Sequence, residues 1–330
     1  MNSFELIPTE ENLIHTLDKD LLKRNKDLVR FYDLILVQEG ASSIAIDGRW
    51  GSGKTFFVKQ SMLLINAKNP MSDMDDEKKA SIVYALPFPK KAEDMPENYD
   101  VAVYYDAWEN DNGTDPVLSL VYEIIKQLGI NYAFDDNSNA FKLAGSVLEA
   151  LTGRNINGII ENLKSDNPLT KIKEEKDLHE NIKNFFTELL VERGNRLVVF
   201  IDELDRCKPS YAVQLLERIK HYLYDDRITF VFSVNLGELQ HTIKHYYGNT
   251  FDACRYLDRF FDMRISLPPA DKTAFYREMG LESSYVLEKI CRKVIDTFNM
   301  ELREATRFYR QVNTAAYEPT HESRHFVFSF

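Results

Sequence analysis

The stretch Ser43–Val58, SIAIDGRWGSGKTFFV, decides how the rest of the chain is read. Ile44, Ala45 and Ile46 make a short apolar run that suits a buried strand. Gly48 to Thr55 then match G-x-x-x-x-G-K-[ST], the P-loop signature, and Phe56 onward reads as a helix. The order has a physical reason. Glycines let the backbone curl with its N–H groups inward, and no Cβ blocks an approaching anion. The helix N-terminus adds partial positive charge behind them. Lys54 is expected to reach the β- and γ-phosphates of a nucleotide, and the Thr55 hydroxyl to ligate Mg²⁺. Gly48, Trp50, Gly51, Ser52, Gly53 and Phe56 complete the expected nucleotide contacts.

A cradle of this kind binds phosphate; hydrolysis also needs a metal anchor and a group that orients water. Arg196–Ile201 (RLVVFI) is a near-continuous apolar run, as expected of a central parallel strand, and Asp202 and Glu203 follow where it emerges. Ligands of open α/β sheets sit at that edge. Asp202 is the candidate for the Mg²⁺ shell and Glu203 for orienting or deprotonating water. Arg206 stands three residues on from Glu203 and suits local pairing with Asp202, Glu203 or Asp205 better than the alternative, stabilising phosphate charge. Asn235 ends the strand Ile228–Val234 and suits two roles: touching the γ-phosphate, or capping the helix that follows. His241 and His245 lack a third ligand and read as a solvated face. Trp108 reads as core or interface. The late arginines and lysines, Arg292 to Arg310, are spaced around helices, most of them solvated.

The chain has 330 residues and a net charge of −11, from 41 basic and 52 acidic side chains, which argues against bulk nucleic-acid binding. Its 44% hydrophobic content can fill a core. Three distant cysteines and the absence of a signal core or an 18-residue apolar run point to a cytoplasmic setting without a membrane span. Residues 1–40 look helical. Residues 68–79 read as an exposed loop, Ser81–Leu86 as a possible strand, and Asp100–Tyr105 as a strand. Pro116 starts a helix closed by Gly129. Residues of about 136–175 read as a polar, partly helical insertion, and 176–193 as a helix. Helices are expected over 210–224 and 236–247, and a fifth strand over Met263–Leu267. Strands alternating with helices predict a three-layer α/β fold on a five-strand parallel sheet over 1–270. The helical remainder predicts a small all-α lid over 271–330.

With these residues in place, the chain resembles the KAP family of P-loop NTPases, within the additional-strand division near AAA+ and STAND proteins. The resemblance spans roughly residues 17–315. IDGRWGSGKTFF looks like the family's P-loop, FIDELDRCKPSYAVQLLERIKHYL like its Walker B segment, and LREATRFYRQVN like a helix of its C-terminal lobe. Glu203 replaces the family's usual second aspartate, and Met300 stands where the lobe motif has proline. The resemblance implies ATP as the nucleotide, ATPase activity and often a role in phage exclusion or scaffolding. It makes Asn235 the sensor-1 candidate, Arg303 a lid arginine that touches phosphates, Arg259 a candidate trans-acting arginine, and Arg24 part of the segment lining the adenine. A protein partner and a nucleotide-dependent homo-oligomer are the expected partners. The rival reading is a nucleotide-gated scaffold with little turnover.

Overall fold

The computed structural model describes residues 7–88, 99–112, 115–128, 184, 186–187, 190, 193–222, 225–281 and 285–316. The insertion expected over 136–175, Gly129 and most of the 176–193 helix lie outside the described residues; positions 184, 186, 187, 190 and 193 are helical. Five strands form one parallel sheet: β1 (Ser42–Asp47), β2 (Asp100–Asp106), β3 (Arg196–Asp202), β4 (Ile228–Val234) and β5 (Met263–Ser266). Their order is β2-β3-β4-β1-β5. The strand β4 therefore separates the P-loop strand β1 from the acid-bearing β3, and all seven of its residues are buried.

Strand periodicity divides the core between the two faces of the sheet. Val199, Ile201, Phe230 and Phe232 pack with helices α5 (Pro116–Gln127), α6 (Pro209–Tyr222), α7 (Leu236–Tyr247) and α8 (Ala253–Leu257). Val198, Phe200, Ile44, Ile46 and Val231 pack with α1 (Glu10–Lys19), α2 (Asn25–Leu36), α3 (Lys54–Lys68) and α4 (Asp76–Tyr84). Near one end of the β2–β3 pair, the buried Asp100 meets Arg196 across the ladder at 2.7 Å, and Arg196 also donates to the carbonyls of Ile35 and Gln38.

The strand expected at Ser81–Leu86 is helix instead. The Asp75 side chain accepts from the Lys78 N–H, and Asp76 and Glu77 occupy the first turn, so the segment starts as a capped helix. Ile82 alone in this helix is fully buried. The loop expected over 68–79 is correspondingly shorter.

After β5 come α9 (Thr273–Glu278), α10 (Val286–Thr297) and α11 (Leu302–Ala316). They close a small core of their own around Phe275, Cys291, Ile295, Leu302 and Phe308, which also takes in Leu22 from the α1–α2 connection. The Asp271 N–H donates to the Leu22 carbonyl at 3.2 Å. Thus the N-terminal helices bridge the sheet and the last three helices. All three cysteines are free. No helix among the described residues is long and apolar enough to cross a membrane.

Candidate nucleotide site

The loop between β1 and α3 curls at Gly51 (φ 82°) and Gly53 (φ 89°), a backbone region that side chains rarely adopt. A Cβ at Gly53 would lie 3.1 Å from Arg24 Nη1, and one at Gly48 would lie 3.0 Å from Ser52 Oγ. A side chain at either position would press on its neighbour, and at Gly53 the backbone conformation would strain it as well. The buried Lys54 ammonium donates to the carbonyls of Gly48 at 2.7 Å and Arg49 at 3.2 Å. Burial holds its pKa below lysine's ordinary value, against the pull of Asp205, Asp202 and Glu203. Ser52 Oγ is buried with no hydrogen-bond partner among the described residues, which fits a loop built to meet an anion.

Across the sheet edge, Asp202 at the end of β3 pairs in register with Asp106 at the end of β2 and Ser233 on β4. The Tyr104 hydroxyl donates to Asp202 Oδ2 at 3.1 Å, and the Glu203 N–H to Oδ1 at 3.0 Å. Burial raises the Tyr104 phenol far above its usual range, with Asp202 adding to the effect. Glu203 has a left-handed backbone (φ 61°) and pairs through Oε2 with Arg206 Nε. Burial, then the Asp202 charge, pushes its carboxyl up to about 7, with Arg206 opposing. Asp205 is buried and accepts from the Trp50 indole N–H at 2.6 Å. The Arg206 guanidinium lies between two rings, 5.7 Å from Trp50 and 5.6 Å from Trp108.

Trp50, Lys54, Tyr104, Glu203 and Arg206 line a cavity of about 470 Å³, within the range of small-molecule sites. Ile7, Pro8, Leu22, Phe56, Phe275 and Leu302 give it apolar lining; Lys54, Thr55, Asp106 and Glu203 give it polar lining. Arg303, Arg307 and Arg310 also line it from α11, at the spacing of one helical face. Among the described residues no three His, Cys, Asp or Glu side chains converge into a metal cage. One carboxylate and one hydroxyl, as Asp202 and Thr55 offer, is the kind of sparse donor set that suits Mg²⁺, which keeps most of its ligands as phosphate oxygens and water.

Of the residues expected from the sequence, Trp50, Gly51, Gly53, Lys54, Thr55, Phe56, Glu203 and Arg303 line this cavity. Asp202 stands at the adjacent strand end. Gly48, Ser52 and Asn235 line a second cavity of about 820 Å³, together with Arg24. The Asn235 side chain accepts from the Glu238 N–H and caps α7. Arg24 donates to the Ser52 carbonyl at 2.8 Å and the Pro268 carbonyl at 2.5 Å. Residues N-terminal to β1 in the first cavity are Ile7, Pro8 and Leu22 instead. Arg259 is exposed and belongs to the segment entering β5; nearby, the Asp262 N–H binds the Ser43 carbonyl at the start of β1, the sheet edge opposite the loop. His241 and His245 are exposed, as expected. Trp108, expected in core or interface, is 52% exposed at the cavity. Sequence reasoning missed Tyr104 and Asp106. The argument applied to Asp202, an acid where an apolar strand emerges, also fits Asp106.

A family model described as the KAP family P-loop domain matches residues 25–318. An uncharacterized protein of Methanocaldococcus jannaschii, MJ0182, is 33% identical over 95 residues, which cover 26% of this chain and 49% of the relative. The aligned stretch thus spans about half of that relative's length. The family match takes in the loop, the acid-bearing strand and the last three helices alike, and on that ground the chain belongs to the KAP family of P-loop NTPases.

Proposed function

We propose that this chain binds ATP with Mg²⁺ and hydrolyses it, and that turnover moves the three C-terminal helices relative to the sheet. The observation that carries the reading is the placement of Glu203 in one cavity with Lys54 and Thr55. Mg²⁺, when bound, neutralises charge on the phosphate oxygens. Thr55 and Asp202 would hold it. Tyr104 fixes the Asp202 carboxylate, and the backbone N–H groups of the loop with Lys54 bind the phosphates. Glu203 orients water and takes its proton at the carboxylate. The apolar lining from Phe56, Phe275 and Leu302 suits a base, and Arg303 enters from the helical lobe to meet phosphate. Lobe closure would exclude water and couple the site to a protein partner.

The test is phosphate release by the wild type, Glu203→Gln and Lys54→Ala. Glu203→Gln should still bind ATP but release phosphate on the order of a hundredfold more slowly. Lys54→Ala should lose binding in calorimetry. Equal release from wild type and Glu203→Gln would remove Glu203 from the chemistry.

The ion pair between Glu203 and Arg206 favours a second reading, a nucleotide-gated switch whose carboxylate stays occupied. Under it the purified protein retains nucleotide and shows no turnover even when concentrated. In either reading a neighbouring copy would be the source of any trans-acting arginine, with Arg259 the candidate. Mass in solution with and without ATP–Mg²⁺ tests that.

A further inference from the structure

Arg206 holds an arrangement that simple local pairing does not explain. Its Nε is committed to Glu203, yet among the described residues its Nη1 and Nη2 donors make no hydrogen bond. The guanidinium carbon lies over two indole rings, 5.7 Å from the Trp50 centroid and 5.6 Å from that of Trp108. Trp50 is in turn fixed by its 2.6 Å bond to Asp205. A cation–π contact attracts a cation without consuming its donors. A donor fork in a cavity shared with Lys54 matches the oxygens of a phosphate as well as those of a carboxylate.

We propose that Arg206 senses the terminal phosphate of the bound nucleotide: it exchanges Glu203 for phosphate oxygens, and the exchange frees the Glu203 carboxylate. Arg206 is thus a positioning residue for Glu203 and a ligand of the phosphate. The inference rests on the nucleotide-binding reading above and is independent of turnover. Because Trp50 and Trp108 are the only tryptophans in the chain, indole emission reports on the exchange.

The experiment titrates the full chain with a non-hydrolysable ATP analogue and with ADP, each with Mg²⁺, following tryptophan emission and calorimetric heat. In the wild type, the triphosphate should change emission further than the diphosphate does, and should bind about tenfold more tightly. Arg206→Gln should lose most of that preference and give the same emission with each nucleotide. Arg206→Lys keeps the charge but lacks the fork, and should recover only part of the preference. Full triphosphate preference in a folded Arg206→Gln protein overturns the inference, as does equal emission for both nucleotides in the wild type. Binding of neither nucleotide by the wild type overturns the binding reading and this inference together. Intact discrimination without phosphate release upholds this inference and sinks hydrolysis alone.

Discussion

Replacing Arg24 with methionine tests how the phosphate loop is joined to the helical lobe. The guanidinium is buried and bonds the Ser52 carbonyl in the loop and the Pro268 carbonyl just after β5. Burial lowers its pKa from the ordinary arginine value to about 10. A group whose pKa falls on folding is disfavoured in its charged form, so at neutral pH this is a cost of about 3 kcal/mol. Two hydrogen bonds from a charged donor contribute about 3–6 kcal/mol in return. Methionine removes both effects and fills most of the space. It leaves the buried Ser52 carbonyl without its donor, whereas Pro268 is exposed and water can replace the loss there. The expected net destabilisation is about 1–3 kcal/mol, less than for a broken buried ion pair. The larger effect should be local. Hydrogen exchange at residues 50–53 and 270–271 should quicken, because the loop and the segment after β5 lose their shared anchor. Urea unfolding and exchange mass spectrometry measure the two. Loss of more than about 4 kcal/mol, or unchanged exchange in a destabilised protein, would refute the reasoning.

Gly51→Ala puts a Cβ at φ 82°, 3.1 Å from Arg303 Cβ. Strain of about 1–2 kcal/mol should weaken nucleotide binding roughly tenfold, read by calorimetry. Phosphate release should rise with pH through about 7, because burial and Asp202 raise the Glu203 carboxyl to that value against Arg206, Lys54 and their positive charge. The deprotonated form is the base, so activity is lost as pH falls; a wild-type rate that is level from pH 6 to 8 would dismiss Glu203 as that base. Arg196→Met strands the Asp100 carboxylate, whose side chain is 1% exposed, and should lower stability by about 3–5 kcal/mol in urea unfolding.

The strands and the phosphate loop were legible because their signals are local. An apolar run ending in acid marked β3, and glycine spacing marked the loop. At 81–86 the reading failed because SIVYAL has strand-like apolar content, while the evidence for helix lay just upstream in Asp75-Asp76-Glu77. A capping acid followed by an acidic first turn was the available signal. The arrangement around Arg206 could not be read that way. Trp50, Trp108 and Arg206 come from three loops that follow β1, β2 and β3, and only the strand order brings those ends together. The face of α11 that carries Arg303, Arg307 and Arg310 was likewise hidden. Spacing says that they share a face, but not which neighbour the face meets.

The neighbours of β1 in the sheet have a consequence for synthesis of the protein. Ser42–Asp47 pairs only with β4 and β5, whose residues run from Ile228 to Ser266. A ribosome must therefore release the chain as far as Val234 before the strand that carries the phosphate loop gains one partner, and as far as Ser266 before it gains the other. Until then its apolar side chains, with Phe56 and Phe57 just behind them, lack the sheet that later covers them. Such late closure over a long stretch of chain is slow and leaves the nascent protein open to aggregation or chaperone capture.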